Sequence, residues 1–337
     1  MKFSRSALCK IGTGALFLLG TQMLAGAQAP GPQKIRLTSL PGRPLPVVAA
    51  EMNGLFAKYG IEAETNPAPN SDAMRAALAE GKADIAHAAV DNAVAMVELA
   101  GADVVIVMGG EGSLNELFVQ PDIHSAAELR GKILIVDAVN TAYALQIKKI
   151  LLLNGLQSGR DYEMRPYGAT PQRLVAMREH KELAGSMLGP PASIVAKREG
   201  FVSLGSTQKL IGAYQSYGAF VQRKWASEHK DALVRYLAAY ITAQRWLMAP
   251  ANKQKVIELM MNESKIPADV AAETYSVLME GHGGYAEDAR FDLEGFKNVL
   301  KLRAEVEGQW NGHPPAPEKY YDPSYYDAAL AKLKGAK

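Results

Sequence analysis

Residues 71–92, SDAMRAALAEGKADIAHAAVDN, compress a helix, a turn, a strand and the start of a second helix into one short stretch. Ser71 or Asp72 can cap the first helix, because a side-chain oxygen there accepts a hydrogen bond from an orphan backbone N–H of the opening turn. MRAALAE is a run of strong helix formers. Gly81 lets the chain leave that helix at positive φ. DIAHA then reads as a strand that runs into a second cap signal, Asp91-Asn92. About a hundred residues on, Thr170 to Pro191 reads TPQRLVAMREHKELAGSMLGPP. Here Thr170 takes the cap place and Pro171 the first helical position, where a missing N–H costs nothing. Glu80-Gly81-Lys82 is echoed by Glu179-His180-Lys181, and Asp84-Ile85-Ala86 by Glu182-Leu183-Ala184. A unit used twice points to two similar α/β lobes.

The totals fit that reading. The 337 residues suffice for two domains of ordinary size, and 48% hydrophobic residues supply their cores. The net charge is +2, but Lys2, Arg5 and Lys10 lie in a leader without acidic residues, and without them the balance is −1. No basic footprint for nucleic acid remains, and no charge argument for a membrane surface. The only cysteine, Cys9, also falls in the leader, which excludes disulfides, zinc–thiolate sites and cysteine nucleophiles downstream. Residues 1–29 have the pattern of a secretory signal: a basic start, an apolar run from Ile11 to about Leu24, and the small residues Ala25-Gly26-Ala27 for cleavage near Ala27. Export to the periplasm is therefore expected.

Beyond the leader, strands and helices alternate, which argues for parallel sheets with covered faces. KIRLTSL is a strand, and Pro46 opens a helix carrying Val48, Met52, Leu55, Phe56 and Tyr59 at helical spacing. IEAETNP, VVIVM, KILIV, YEMRPYG and FVSLG are further strands. Glycine-rich GGEGSLNELFVQP, from Gly109, reads as a crossing segment into a second lobe, and YQSYGAFVQ as the return. Ser125 to Glu128 is a capping box, S-x-x-E. Asn140-Thr141 caps a helix to Leu153. Trp225 to Met248 is one long amphipathic helix, with others over about 252–263, 268–280 and 292–306. The proline- and tyrosine-rich tail is expected to wrap the surface.

The order of NGLFAKYGIEAE, SDAMRAALAEGKADIAHA, AGADVVIVM, SAAELRGKILIV, NTAYALQIKKILLLNGL and LAGSMLGPPAS resembles the nitrate/sulfonate/taurine-type solute-binding proteins of ABC transporters, a superfamily shared with thiamine-pyrimidine synthases. The resemblance covers about residues 34–225 well. It implies an α/β, two-lobed periplasmic-binding-protein (type II) fold: residues 30–118 plus 216–337 as lobe one with C-terminal helices, 119–215 as lobe two, and a ligand cleft between them. It implies a monomer that closes on a small solute and delivers it to a membrane permease driven by a cytoplasmic ATPase. No cofactor, no metal and no catalytic residue are expected.

Helix N-termini converging on a cleft form a site for anions or polar heads, because their first N–H groups are unpartnered. The loops at strand ends supply the candidates: Ser39 and Arg43 before the first helix, Arg43 as a fork for a carboxylate, sulfonate or phosphate; Ser71 and Asp72; Asp91 and Asn92, of which Asp91 suits a ligand with a donor and repels a bare anion. In the resemblance, Asn140, Thr141 and Tyr143 match the family's ligand loop, with Thr170 in the equivalent loop of the repeated unit. Gly189 departs from the bulky or acidic residue common before a single proline there, which implies a roomier corner. Tyr217, at the return crossing, is placed to stack on a flat ligand, as is Tyr214, against hinge packing for both.

The six histidines show no metal-ligand spacing, and there is no G-x-S-x-G elbow or phosphate loop. His87 reads as a core or cleft-edge histidine. Two other readings stay open: a pyrimidine-synthase-like enzyme on the same fold, and an extracytoplasmic sensor or accessory binding module.

Overall fold

Ten strands, seen in a computed structural model that describes residues 31–335, form two five-stranded sheets. The leader expected over residues 1–29 lies outside the described residues. The strands are β1 (Gln33–Ser39), β2 (Ile61–Pro67), β3 (Ile85–Ala89), β4 (Val104–Glu111), β5 (Glu116–Val119), β6 (Ile133–Val136), β7 (Glu163–Pro166), β8 (Leu183–Leu188), β9 (Val202–Ser206) and β10 (Tyr217–Gln222). The first sheet has the order β2-β1-β3-β10-β4 and the second β7-β6-β8-β5-β9. In each, three parallel strands are followed by one antiparallel strand, β10 or β5, and then the last strand. The antiparallel member is the strand brought by a crossing. The weak letter-by-letter echo in the sequence is thus a strong topological one: Ser71–Ala79 with β3 and Thr170–Glu179 with β8 hold equivalent places.

Both faces of each sheet are covered, as alternation along the strands requires. In β4, Val105 and Val107 pack with Ile35, Leu37, Ile85 and the helix Lys230–Met248, while Val104 and Ile106 face Phe220, Phe296 and Tyr320. In the second sheet Leu134 and Val136 pack with Ala144, Ile147 and Leu151 of the helix Ala142–Leu153 on one side, and Ile135 packs with Leu174 and Met177 on the other.

Several local readings change. The first helix breaks at Asn53-Gly54 into Leu45–Met52 and Leu55–Lys58. Asn70, not Ser71 or Asp72, caps Ser71–Ala79, its Oδ1 accepting the Ala73 N–H at 2.9 Å. The helix after β3 starts at Asp91 with Val90 at its cap, so neither Asp91 nor Asn92 acts as the cap. Thr170 lies inside its helix, and the Ala169 N–H is taken by Gln172. The S-x-x-E box forms only a 3₁₀ turn, Ala126–Leu129, in which Ser125 donates to the Glu128 carboxylate at 2.7 Å instead of capping an N–H. The long helix begins after an interruption at His229, and the tail closes with a helix, Ser324–Gly335, that buries Tyr325 and Tyr326.

The crossing at Gly109 is still strand: β4 runs on through Gly109 and Gly110 to Glu111. A Cβ at Gly109 would sit 2.4 Å from the Arg290 carbonyl oxygen, so only glycine lets that chain lie alongside. Gly218, where β10 squeezes between β3 and β4, is under the same constraint: a Cβ there would meet the Met108 carbonyl oxygen at 2.5 Å and Val90 at 2.8 Å. Gly218→Val is expected to cost about 1–3 kcal/mol through overpacking, read as a lower urea midpoint with unchanged slope.

Candidate functional site

Between the two sheets lies a cavity of about 590 Å³, within the usual range for a small organic ligand. Its wall is drawn from both. The first sheet and its loops give Arg43, Ser71, Asn92, Glu111, Ser216 and Tyr217, the second gives Asn115, Asp137, Thr141, Tyr143, Thr170 and Gly189, and the C-terminal helices and turns add Tyr240, Met260, Glu263 and Tyr285.

Of the residues singled out in the sequence, Arg43, Ser71, Asn92, Thr141, Tyr143, Thr170, Gly189 and Tyr217 line this cavity. Ser39, Asp72, Asp91, Asn140 and Tyr214 do not. Ser39 and Tyr214 are buried. Asp72 is exposed and pairs with Arg75 of its own helix. Asp91 and Asn140 are held by Arg303, a residue the sequence reading passed over. Arg303 is 0% exposed and comes from the helix Leu293–Glu307. Its Nη2 donates to Asp91 Oδ2 at 3.1 Å and to the Asn140 carbonyl at 2.9 Å. Burial pushes the Asp91 carboxyl up to about 6, against the pull of Arg303. Arg75 takes the other end of Asn140, at Oδ1, 3.2 Å.

At the cleft a carboxylate stands between two helix starts. Asp137, 3% exposed at the end of β6, accepts the Ser71 hydroxyl at 2.5 Å and the Thr141 hydroxyl at 2.7 Å. Ser71 opens one helix and Thr141 precedes another, so the chain's own carboxylate lies where a bound anion was expected. The Ala138 carbonyl, 2.9 Å away, shares the single Thr141 hydroxyl proton with Asp137. The hydroxyl is therefore turned inward and makes no cap bond. The signal that could have found Asp137 was its place at a strand's C-terminal end, four residues before Thr141.

Arg43 is not a free fork. It pairs with Glu51 and, at 3.2 Å, with Glu263. Arg178, also in the wall, is held by Glu199 at 2.7 Å through two nitrogens. Gly189, ahead of a cis Pro190–Pro191 bond, does not give a roomier corner: a Cβ there would lie 2.7 Å from Asn115 Oδ1, so Asn115 fills the space. Arg173 is 0% exposed and was missed in the sequence. It donates to Ser186 Oγ, the Gly168 and Met187 carbonyls and Thr170 Oγ1 at 2.7–3.1 Å, and stacks 4.7 Å from the Tyr143 ring. Burial lowers its pKa, with Asp137 the largest opposing charge.

Glu111, the last residue of β4, was also missed. Tyr217 is its ladder partner on β10 and Tyr285 its bridge partner on the other side. Burial alone pushes its carboxyl up to about 7. Its carboxylate has no hydrogen-bond or salt-bridge partner among the described residues, whereas its backbone carbonyl is bound by the Gln215 side chain. The Tyr217 hydroxyl donates to the His87 carbonyl at 2.9 Å. His87 itself is core: it is stacked on Tyr240 with ring centres 5.1 Å apart, bonded through Nε2 to the Tyr236 hydroxyl at 2.7 Å, and driven down to about 3 by burial. Among the described residues no group of histidine, cysteine and acidic side chains is arranged to hold a metal, and no helix is long and apolar enough to cross a membrane.

Two matched mixed sheets flanked by helices, with a cavity between them, define the periplasmic-binding-protein fold. The chain belongs to the NMT1-like family, whose profile matches residues 30–261. No curated protein matches it in sequence. Among solved structures it is similar to the periplasmic nitrate-binding protein NrtA from Synechocystis PCC 6803, at 16% identity over 91% of this chain and 90% of that one, TM-score 0.73. It is similar to a protein of Methylobacillus flagellatus KT described as a putative sulfonate ABC transporter's periplasmic sulfonate-binding protein SsuA, at 15% identity, 90% and 95% coverage and TM-score 0.62. It is also similar to the desulfurization enzyme DSZB, at 13% identity, 89% and 99% coverage and TM-score 0.60. These likenesses carry the fold.

Two measurements test the electrostatics. A carboxyl whose folded pKa lies above its unfolded one costs no stability below the unfolded value and costs most above the folded value. Glu111→Gln is therefore expected to stabilise the protein by up to about 3 kcal/mol at around pH 8 and to leave it unchanged near pH 4, by urea denaturation. Arg303→Met strands Asp91 in the interior and should cost about 3–5 kcal/mol near neutral pH, less in acid, where Asp91 takes up a proton.

Proposed function

We propose that the protein is the extracytoplasmic solute-binding component of an ABC importer. It captures a small organic molecule in the inter-sheet cavity and hands it to a permease coupled to a cytoplasmic ATPase. The observation that carries this is the cavity itself, whose wall is shared between two sheets of matched topology and crossed by the Ser71–Asp137 bond. A site divided in this way is filled by bringing the halves together around a ligand, a clamp motion. Residues 30–118 with 216–337, and 119–215, would be the two moving parts, except that β5 belongs with the second sheet from Glu116 on. Export through the 1–29 leader, periplasmic residence and a monomeric state belong to the same reading. Arg43, Ser71, Asn92, Thr141, Tyr143, Thr170, Gly189 and Tyr217 would border the solute, with Ser39, Asp72, Asp91 and Asn140 supporting them from outside the wall.

The likeness to a desulfurization enzyme keeps a catalytic reading in view. Against it, no histidine or cysteine borders the cavity, and beyond residue 9 the chain has no cysteine to serve as nucleophile. A sensor or accessory role would use the same cavity and differ only in the downstream partner.

The protein purified from its own periplasm should release a stoichiometric small molecule on denaturation, identified by mass spectrometry. Thr141→Ala removes a buried hydroxyl that is spent on Asp137 and the Ala138 carbonyl, so it should cost the ligand-free protein about 1–3 kcal/mol, read as a lower melting temperature, with little change in affinity. Release of nothing, together with no thermal stabilisation by any compound of a broad solute panel, would sink the proposal.

A further inference from the structure

Of the charged side chains that border the cavity, all but one are already matched. Arg43 is held between Glu51 and Glu263, Arg178 lies on Glu199, and Asp137 accepts two hydroxyls. Glu111 alone has no partner for its carboxylate among the described residues. Its surroundings are aromatic. Tyr217 and Tyr285 flank it along the backbone, and Tyr240 comes from the long helix packed across β4. The Tyr240 hydroxyl lies 3.8 Å from where a Cβ on Gly110 would stand, next to Glu111 in the chain. The hydroxyls of Tyr240 and Tyr285 have no partner among the described residues either.

A bare anion finds little here. The guanidinium groups of the wall are paired, the Asp137 carboxylate stands between the helix starts at Ser71 and Thr141, and Glu111 would repel it as well. Arg173 adds positive charge behind Tyr143, but four of its five N–H groups are spent on Ser186, Thr170 and two carbonyls, and the Tyr143 ring covers its face. A cation, by contrast, meets an unpartnered carboxylate beside three tyrosine side chains, and both kinds of group attract positive charge.

We propose that the solute is a flat organic cation, an amidine or protonated amine on a ring, whose positive group is taken by the Glu111 carboxylate while the ring lies among Tyr217, Tyr240 and Tyr285. This deepens the solute-binding reading and rests on it. The cation draws Glu111 into its ionised form, so binding releases a proton wherever the empty protein holds one. Affinity therefore rises with pH until Glu111 is ionised in the empty protein as well. The groups facing Glu111 from the neighbouring elements are Tyr217, Tyr240 and Tyr285, whose phenols burial raises, and the amides of Gln215 and Gln244; the other charged groups of the wall are Arg43, Asp137, Arg178 and Glu263.

Three probes of one shape and different charge test it: benzamidine, benzamide and benzenesulfonate, each at millimolar concentration, by thermal shift and calorimetric titration. Benzamidine is expected to stabilise the protein and the sulfonate to leave it unmoved. Its affinity should fall by roughly tenfold or more between about pH 8 and pH 5.5, and by about tenfold or more in Glu111→Gln at the higher pH. The pH series on the unaltered protein needs no variant to fold. Stabilisation by benzenesulfonate and not by benzamidine overturns the cation while leaving the solute-binding reading intact. Benzamidine binding that ignores both pH and Glu111→Gln also overturns it, because the probe then lies elsewhere. Silence from all three overturns the cation as well, and joined to silence from the broad panel it removes both readings.

Discussion

A guanidinium with no access to water holds the two halves of this molecule in register. Arg303 reaches from a C-terminal helix to the carboxylate of Asp91 beside the first sheet and to the carbonyl of Asn140 beside the second. Desolvating two such charges is expensive, and their attraction offsets the expense only when the geometry is good and the remaining donors are used. Here Nη2 is shared among the three oxygens of Asp91 and Asn140, while Nε is left without a partner. The arrangement contributes less to net stability than to specificity: it tolerates one relation between the helix Leu293–Glu307, the start of Asp91–Ala100 and the loop after β6. The salt bridges of Lys148 and Lys149 to Glu307 and Glu305 follow along the same helix pair.

The cleft extends this logic. Buried charges are matched within the chain first, and what remains unmatched is left to the ligand. Asp137 serves two helix starts, Asp91 serves Arg303, and the rim arginines serve glutamates. The exception is Glu111, a half-buried carboxylate without a partner among the described residues. A binding protein gains from such a group, because the energy withheld in the empty state becomes differential affinity when the right partner arrives. In the proposed cation site the same carboxylate would reject anionic solutes.

Much of the architecture was legible. Short apolar runs such as KILIV and VVIVM fixed the strands, glycines marked the turns, and the two crossings were visible as changes of pattern. Eight of the twelve site candidates lie on the cavity wall because they occupy strand-end loops, a rule of topology rather than of chemistry. What stayed hidden depends on partners far along the chain. Arg43 reads as a free fork until Glu263 is folded beside it. Asp91 reads as a cap until Arg303 claims it. Thr141 reads as a cap until Asp137 turns its hydroxyl around. Glu111 was invisible because Gly109-Gly110 looks like a loop, whereas close approach of the Arg290 backbone makes those glycines part of a strand.

The crossing strands also set a timetable. The strands of the second sheet occupy one uninterrupted interval, Glu116 to Ser206, and it can be completed as soon as that interval is available. The first sheet cannot. β4 is joined to β3 only through β10, so the half of the molecule that leaves the ribosome first must wait, unfinished, for residues 217–222 and for the helices that cover it. The chain is therefore written in one order and assembled in another.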